Sequence, residues 1–240
     1  MILVLRKTNL LLIILICALS YLTYSLYRQT GHNEAIPTFT LPMSNKAIII
    51  DAGHGSPDGG ASGSSGILEK DINLSISEKV QALIEQSGGV AIITRPDDNS
   101  IHDADKHTIR AKKNSDLKNR KNIIDESNAD AFISIHLNKF EQSQYYGAQV
   151  FYSTNNTKSK KLGEFIQQEL VEYIANDNNR KIKPATDDIF LLKKASIPAV
   201  VVECGFLSNP EEEKLLQTEL YQKKLAWGIY IGAMKYFGAQ

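Results

Sequence analysis

The alternation of short apolar runs with helical patterns beyond residue 46 constrains the fold of this chain more than any other feature of its sequence. The apolar runs, mostly rich in Val, Ile and Phe, cover residues 47–51, 90–95, 131–136, 148–152 and 199–203. Their length and composition predict strands. Helical patterns predict helices over about 69–86, 116–127, 159–174 and 219–237. Because strands that alternate with helices form mainly parallel sheets covered on both faces, the predicted fold class is α/β.

The N-terminal segment is apolar over the length of a membrane span. Between Lys7 and Arg28 lie 20 residues without a charge, and at about 1.5 Å per residue they roughly span the ~30 Å hydrocarbon core of a bilayer. Arg6 and Lys7 precede the segment, so the positive-inside rule predicts that the chain starts in the cytoplasm and that the remainder is exported. A cleavable signal peptide with a small-residue site at 18–20 is the competing interpretation.

These features predict three parts in the chain. Residues 1–28 form a membrane anchor or signal segment, residues 29–44 form a polar linker, and residues 45–240 form one domain. Three of the 27 basic residues and none of the 27 acidic residues lie in the first 31 positions, so the exported part is mildly acidic. This charge balance argues against a nucleic-acid partner, because a polyanion binds to a basic surface.

Chemically active side chains follow three of the predicted strands at the point where each strand ends. The run 47–51 leads into Gly53-His54-Gly55, the run 131–136 ends on His136, and the run 199–203 ends on Glu203. Because ligands bind at the carboxyl ends of parallel strands, we expect these two imidazoles and this carboxylate to converge at one edge of the sheet.

Glu69 is a fourth candidate, because the loop between His54 and Glu69 is rich in Gly and Ser. Such a loop folds tightly at little cost and can bring the start of the next helix back to the strand end. Two His and one Glu are the ligand set of a hydrolytic zinc site with an open position. Zinc there would lower the pKa of a bound water to about 7 and polarise a carbonyl. Glu203 would take the proton of the water and pass it to the departing amine.

Each candidate also has a simpler interpretation. A histidine at a strand end, such as His136, is more often a surface or hydrogen-bonded residue. His54 could belong to an anion-binding loop, although that loop lacks the lysine of a P-loop. Glu69 could merely favour the dipole of its helix. Glu203 has the weakest such alternative, because a carboxylate at the end of an apolar run is costly to bury without a partner.

Two further sets of residues have less specific signals. His102 and His107 lie in a polar stretch that we interpret as a solvated loop rather than a second metal site. Cys204 follows Glu203 along a buried strand, and we interpret it as a small apolar residue rather than a reactive thiol. With Cys17 in the apolar segment, the domain has one thiol and no disulfide.

Four motifs in this order resemble the zinc-dependent N-acetylmuramoyl-L-alanine amidases of the amidase-3 type. They are Asp51-Ala-Gly-His54-Gly, Glu69-Lys70-Asp71-Ile-Asn73-Leu, Ser134-Ile-His136-Leu-Asn138 and Glu203-Cys-Gly205-Phe206-Leu-Ser-Asn209. The resemblance covers about residues 47–237. It implies a single catalytic domain of the α/β class, built around a six-stranded sheet. It also implies Zn²⁺ bound by His54, Glu69 and His136, with Glu203 as the catalytic glutamate. Arg120 resembles an arginine that precedes the His-bearing strand in the family, in a structural or substrate-side role.

Within this family, the chain resembles the germination-specific amidases of endospore formers. The shared features are a single N-terminal hydrophobic segment, the lack of a wall-binding repeat in these 240 residues, and the stretch 108–120. The resemblance implies removal of stem peptides from muramic acid during cortex synthesis, so that muramic lactam can form. The implied partners are peptidoglycan glycan strands with stem peptides, an activating protein, and the membrane through the N-terminal segment. The catalytic domain would lie outside the cytoplasmic membrane, between the spore membranes in a spore former.

Two other functions remain open at this stage. The ligand set also suits a zinc peptidase that cuts within the stem peptide, and only product analysis separates the two. The chain could instead be a catalytically silent, membrane-tethered scaffold that binds the wall. Silent relatives have usually lost a ligand or the glutamate, whereas His54, Glu69, His136 and Glu203 are all present.

Overall fold

The computed structural model describes residues 7–30, 41–174 and 177–239, and the chain forms two compact units, Met1–Thr40 and Leu41–Gln240. The described part of the first unit is one helix, α1 (Lys7–Thr30). The part Lys7–Leu26 of this helix is long and apolar enough to cross a membrane. A signal sequence has the same length and composition. Of the predicted linker, residues 31–40 lie outside the described residues, and residues 41–44 belong to the second unit.

A six-stranded sheet forms the centre of the second unit. Its strands are β1 (Ala47–Ala52), β2 (Val90–Ile93), β3 (Ala131–Asn138), β4 (Gln149–Tyr152), β5 (Lys183–Pro184) and β6 (Ala199–Phe206). Their order is β2-β1-β3-β6-β4-β5, and all neighbours are parallel except β6 and β4. The expected α/β class and mainly parallel sheet are confirmed. β5 was not predicted, because this exposed pair of residues has no apolar pattern.

Helices connect the strands and cover both faces of the sheet. They are α2 (Glu69–Gln86), α3 (Ile109–Glu126), α4 (Ser159–Ile174), α5 (Phe190–Lys193), α6 (Pro210–Leu216) and α7 (Glu219–Gly238). α2 and α4 have the predicted bounds. α3 begins at Ile109 rather than at residue 116, because Thr108 caps it by accepting a hydrogen bond from the Ala111 amide. The short helix α5 was not predicted from the apolar pattern.

The alternation of side chains along the strands divides the core into two layers. Ile48 and Ile50 of β1 face the larger layer, which α2, α4 and α7 complete. Ile49 faces the smaller layer, which α3 and α5 complete. Both faces of the central strands are therefore buried, as expected for parallel strands.

A buried arginine of α3 holds the backbone where β1 ends. Arg120 is 2% exposed and forms an ion pair with Asp51, the next-to-last residue of β1. Its guanidinium also donates to the Asp116 carboxylate at 2.8 Å and to the carbonyls of Ala52 at 2.8 Å and His54 at 2.5 Å. Burial alone would raise the pKa of Asp51, but the charge of Arg120 holds it below its usual value. The turn that carries His54 is thus fixed from the α3 side.

A second buried arginine holds the same turn from the α2 side. Arg95, which follows β2, is fully buried. It donates to the carbonyls of Ala52 at 2.8 Å, Gly53 at 3.1 Å and Lys70 at 2.8 Å. Because Lys70 belongs to the first turn of α2, Arg95 ties the end of β1 to the start of that helix.

We predict that Arg120→Leu lowers the free energy of unfolding by about 3–5 kcal/mol, because it leaves Asp51 and Asp116 buried without their cation. Lys118→Leu, at an exposed position of the same helix, should change it by less than about 0.5 kcal/mol. Urea unfolding followed by circular dichroism measures both variants. Equal stabilities for the two variants would contradict a structural role of this arginine.

Candidate metal centre

The sheet brings the predicted ligands together at one edge. His54 follows β1, Glu69 is the first residue of α2, and His136 lies near the end of β3. One ligand atom from each of these three residues lies within 4.8 Å of the others, and no second group of this kind occurs among the described residues. Glu203 of β6 pairs with His136 across the β3–β6 ladder. The expected convergence at the carboxyl ends of the strands is therefore observed.

Glu69 lies at the centre of this group. Its Oε1 atom is 2.9 Å from His136 Nδ1 and 3.2 Å from His54 Nε2, and it accepts a hydrogen bond from the Leu137 amide at 3.0 Å. Its Oε2 atom accepts one from the Ala61 amide at 2.8 Å. Burial raises the pKa of Glu69, but the hydrogen bonds of the two histidines outweigh burial and hold it far below its usual value. Glu69 is thus an ionised carboxylate.

His54 is oriented by a carboxylate on its outer side. Its Nδ1 atom is 3.0 Å from Asp58 Oδ2, which leaves Nε2 facing Glu69. Burial lowers the pKa of His54, but the hydrogen bonds to Asp58 and Glu69 outweigh burial and raise it to about 9. An outer carboxylate of this kind fixes the tautomer of a metal-binding histidine. A metal ion at Nε2 would displace a proton from the ring at neutral pH.

Asp58 was missed by the sequence analysis. The only signal for it is a carboxylate four positions after His54, within a Gly-Ser-Pro turn. That spacing does not predict a contact, because the contact depends on the path of the loop. His54 itself has a φ of 64°, so the turn that presents it is left-handed.

The glycine-rich loop folds against the predicted ligands, as the sequence predicts. Gly60 has a φ of 68°, and a Cβ atom there would lie 2.6 Å from Glu69 Oε2 and 2.7 Å from His54 Cδ2. A Cβ on Gly53 would collide with the ring of His136. Larger residues at these two positions would therefore displace the ligands.

The donor set and its spacing fit zinc. Zinc bonds to imidazole nitrogen and carboxylate oxygen at about 2.0–2.2 Å, so two ligand atoms on one ion lie roughly 3–4 Å apart. The Glu69 oxygen is 2.9 Å and 3.2 Å from the two histidine nitrogens, within the 4.8 Å spread of the group. Small shifts of the side chains would accommodate the ion.

Glu203 lies beside this group without a protein partner for one of its oxygens. Its Oε2 atom is buried and accepts no hydrogen bond from the described residues. Burial raises the pKa of Glu203 to about 7, with the charge of His136 opposing the shift and that of Glu69 adding to it. Together with His54 and His136 it lines a cavity of about 260 Å³. A carboxylate in this position can both accept and return a proton near neutral pH.

Arg120 also lines this cavity. Its position favours a structural role over a role in binding the substrate. Its donors face the carboxylates of Asp51 and Asp116, the carbonyls of Ala52 and His54, and the hydroxyl of Thr94. A guanidinium has five N–H donors, and these contacts use them. No donor is left over for a substrate.

The remaining sequence candidates lie outside the metal group. His102 Nδ1 is 2.6 Å from Ser100 Oγ, and His107 is exposed. Cys204 is fully buried in the larger core layer, and burial raises the pKa of its thiol. These positions agree with the solvated loop and the packing role that the sequence suggests.

Comparisons with known proteins agree with this geometry. Residues 48–235 match the Amidase_3 family, described as N-acetylmuramoyl-L-alanine amidase. The germination-specific N-acetylmuramoyl-L-alanine amidase of Bacillus subtilis (strain 168) is 37% identical over 209 residues, which cover 87% of this chain and 87% of that protein. The structure of the CwlD amidase from Clostridioides difficile in complex with the GerS lipoprotein matches with a TM-score of 0.79 and 54% identity, over 82% of this chain and 100% of that one. An N-acetylmuramoyl-L-alanine amidase from Clostridium difficile 630 matches with a TM-score of 0.71 and 30% identity, over 82% and 99% of the two chains.

We predict that the purified chain binds about one zinc ion and that His136→Ala lowers its zinc affinity more than about 100-fold. Asp58→Asn should lower the affinity by roughly 10–100-fold, because it removes the outer partner of His54 but no ligand. His102→Ala is the matched control and should leave the affinity unchanged. Competition with a chelator, read by zinc content, measures all three variants. Undiminished affinity in His136→Ala would rule out this ligand set.

Proposed function

The chain belongs to the N-acetylmuramoyl-L-alanine amidases of the Amidase_3 family and hydrolyses peptidoglycan, and from this premise we propose that it is a zinc enzyme. Its proposed zinc ligands are His54, Glu69 and His136, and its proposed proton carrier is Glu203. The observation that carries the proposal is the buried, unpartnered Glu203 oxygen beside three ligand atoms that lie within 4.8 Å of one another.

In the proposed reaction, water attacks the carbonyl between the lactyl group of muramic acid and L-alanine. Zinc, when bound, would polarise this carbonyl and make the water more acidic. Glu203 accepts the proton of the attacking water and returns it to the nitrogen as the C–N bond breaks. The products are a lactyl carboxylate on the glycan and a free amine on L-alanine. Glu69 keeps its negative charge throughout, because the histidines beside it stabilise the ionised form.

Two features favour this reaction over the alternatives from the sequence. The family match is to enzymes that act on the bond to muramic acid, which favours an amidase over a peptidase of the stem. The ligand group is complete and Glu203 lies beside it, which favours an enzyme over a silent scaffold.

We predict that Glu203→Gln lowers the rate of amide hydrolysis by roughly 10²–10⁴-fold, because an amide side chain cannot carry the proton. Its zinc content and melting temperature should stay near those of the wild type, since no ligand is lost. Glu69→Gln is the contrasting variant and should lose zinc and activity together. Mass spectrometry of digested peptidoglycan measures the released stem peptides. Near-normal turnover in Glu203→Gln, or a loss that follows loss of zinc, would refute the role of this carboxylate.

We further propose that the enzyme acts in spore cortex and works with a lipoprotein partner at a membrane. The likeness to a germination-specific amidase supports the cortex role. The likeness to an amidase in complex with a lipoprotein supports such a partner. The apolar helix Lys7–Leu26 supports export of the second unit, either on an anchor or after cleavage of a signal segment.

In a spore-forming host, a chromosomal Glu203→Gln allele should yield cortex in which muramic acid keeps its stem peptides and muramic lactam is missing. The physical reason is that lactam formation needs the lactyl carboxylate that hydrolysis releases. A His102→Gln allele is the control. Muropeptide analysis of purified cortex reads both outcomes, and normal lactam content with the Glu203→Gln allele would exclude the cortex role.

A further inference from the structure

A second groove, of about 490 Å³, opens beyond β4 on the sheet. Its walls come from the loop before β4, with Gln144, Tyr145 and Tyr146, and from the segment before β5, with Asn179 and Arg180. We call it the β4 groove. Glu203 of β6 lines the cavity of about 260 Å³ at the metal group, which we call the cavity of the metal group. The neighbouring strand β4 borders the β4 groove.

The register of the sheet places the β4 groove next to the proposed proton carrier. Gln149 of β4 pairs directly with Glu203 of β6. Paired residues of adjacent strands lie about 5 Å apart with their side chains on the same face. The side chain of Gln149 donates to the Lys181 carbonyl at 2.8 Å and accepts from Arg180 at 3.1 Å. One buried residue therefore connects the groove wall to the neighbourhood of Glu203.

Three aromatic side chains in one loop are exposed beside the groove. Phe140, Tyr145 and Tyr146 have 44%, 41% and 42% of their surface exposed. The rings of Phe140 and Tyr145 pack edge to face at 5.4 Å, and Phe140 packs on Phe206 at 5.2 Å. Exposed aromatic clusters of this kind mark binding surfaces, because each ring presents a large apolar face to solvent.

The loop that carries these rings is fixed by hydrogen bonds of its backbone. The Gly147 amide donates to Glu212 at 2.9 Å, and the Tyr146 carbonyl accepts from Arg180 at 2.7 Å. The Phe140 amide donates to Ser208 Oγ at 3.1 Å. The backbone that carries the rings is therefore held in place before any ligand arrives, which lowers the entropic cost of binding.

Among the described residues, tyrosine rings and side-chain amides line the β4 groove but not the cavity of the metal group. The cavity of the metal group is lined by charged side chains such as Asp58 and Lys113 and by apolar ones such as Ile189 and Phe190. This mixture suits a stem peptide, which carries both carboxylates and alanine methyl groups. The β4 groove presents rings and amides, which suit sugars with apolar ring faces and acetamide groups. Its exposed Lys181 and Lys183 match the lactyl carboxylates of sugars already stripped of their stems.

We propose that the β4 groove binds the glycan strand, a polymer of β-linked N-acetylated hexosamines, on the sugar side of the bond that is cut. This inference rests on the proposed function, because the muramic sugar is joined through its lactyl group to the amide beside Glu203. The strand must therefore leave the site within one or two sugar lengths of that residue. Tyr145 and Tyr146 stack on successive sugars, and Gln144 and Asn179 hydrogen-bond their acetamides.

The direct test is binding of stem-free glycan strands to the full chain in detergent micelles, measured by calorimetry. The double variant Tyr145→Ala/Tyr146→Ala should weaken binding roughly tenfold, the effect of losing two ring contacts. Tyr145→Phe keeps the ring and should bind as the wild type does. Tyr173→Ala, which removes a tyrosine that is 36% exposed on α4 outside the groove, is the matched control. Unchanged binding by the double variant overturns the proposal.

Kinetics supply a second test and show whether the double variant folds. The kcat/KM of the double variant should fall roughly tenfold on polymeric strands, whereas its rate on a muropeptide with a single sugar should stay that of the wild type. An equal loss on both substrates overturns the proposal. If the double variant cleaves strands normally but no longer binds a protein partner, the groove is a protein-binding surface and the proposal is also overturned. If the wild type binds strands through these tyrosines but cuts neither substrate, the proposed function fails and the groove assignment stands.

Discussion

The geometry of the site depends on hydrogen bonds that two buried arginines donate to backbone carbonyls at the end of β1. Arg120 reaches them from α3 and Arg95 reaches them from the end of β2, and both donate to the carbonyl of Ala52. A turn that must present His54 with a left-handed φ cannot use regular sheet bonds, so its carbonyls need other donors. The charge of Arg120 is balanced by Asp51 and Asp116, which makes it tolerable in the core.

This scaffold places two glutamates close together in opposite electrostatic environments. Glu69 accepts hydrogen bonds from both histidines and from backbone amides, so its charged form is stabilised. Burial of the Glu203 carboxyl, one oxygen of which has no donor among the described residues, raises its pKa to about 7. One carboxylate suits a permanent ligand and the other suits a proton carrier. Their different environments, rather than their residue type, separate the two roles.

The antiparallel direction of β4 places the loop before this strand next to Glu203. The four strands β2, β1, β3 and β6 are parallel and bring the proposed zinc ligands to one edge of the sheet. β4 runs the other way, so its first residue, Gln149, rather than its last, lies beside Glu203. The loop that enters β4 therefore borders the site and carries the exposed rings of Tyr145 and Tyr146. A wholly parallel sheet would have placed that loop at the opposite edge.

The sequence by itself determined the α/β class, the strands and the placement of His54, His136 and Glu203 at strand ends, because these follow from local periodicity and the shared edge of parallel strands. The return of Glu69 through the glycine-rich loop could also be predicted, and the four linked motifs indicated the family. Only the tertiary structure decided that Asp58 orients His54, that Arg95 and Arg120 hold the turn, and which residues border Glu203 on β4. A contact of a polar side chain depends on loop paths and on long-range packing, and no local pattern records either of them.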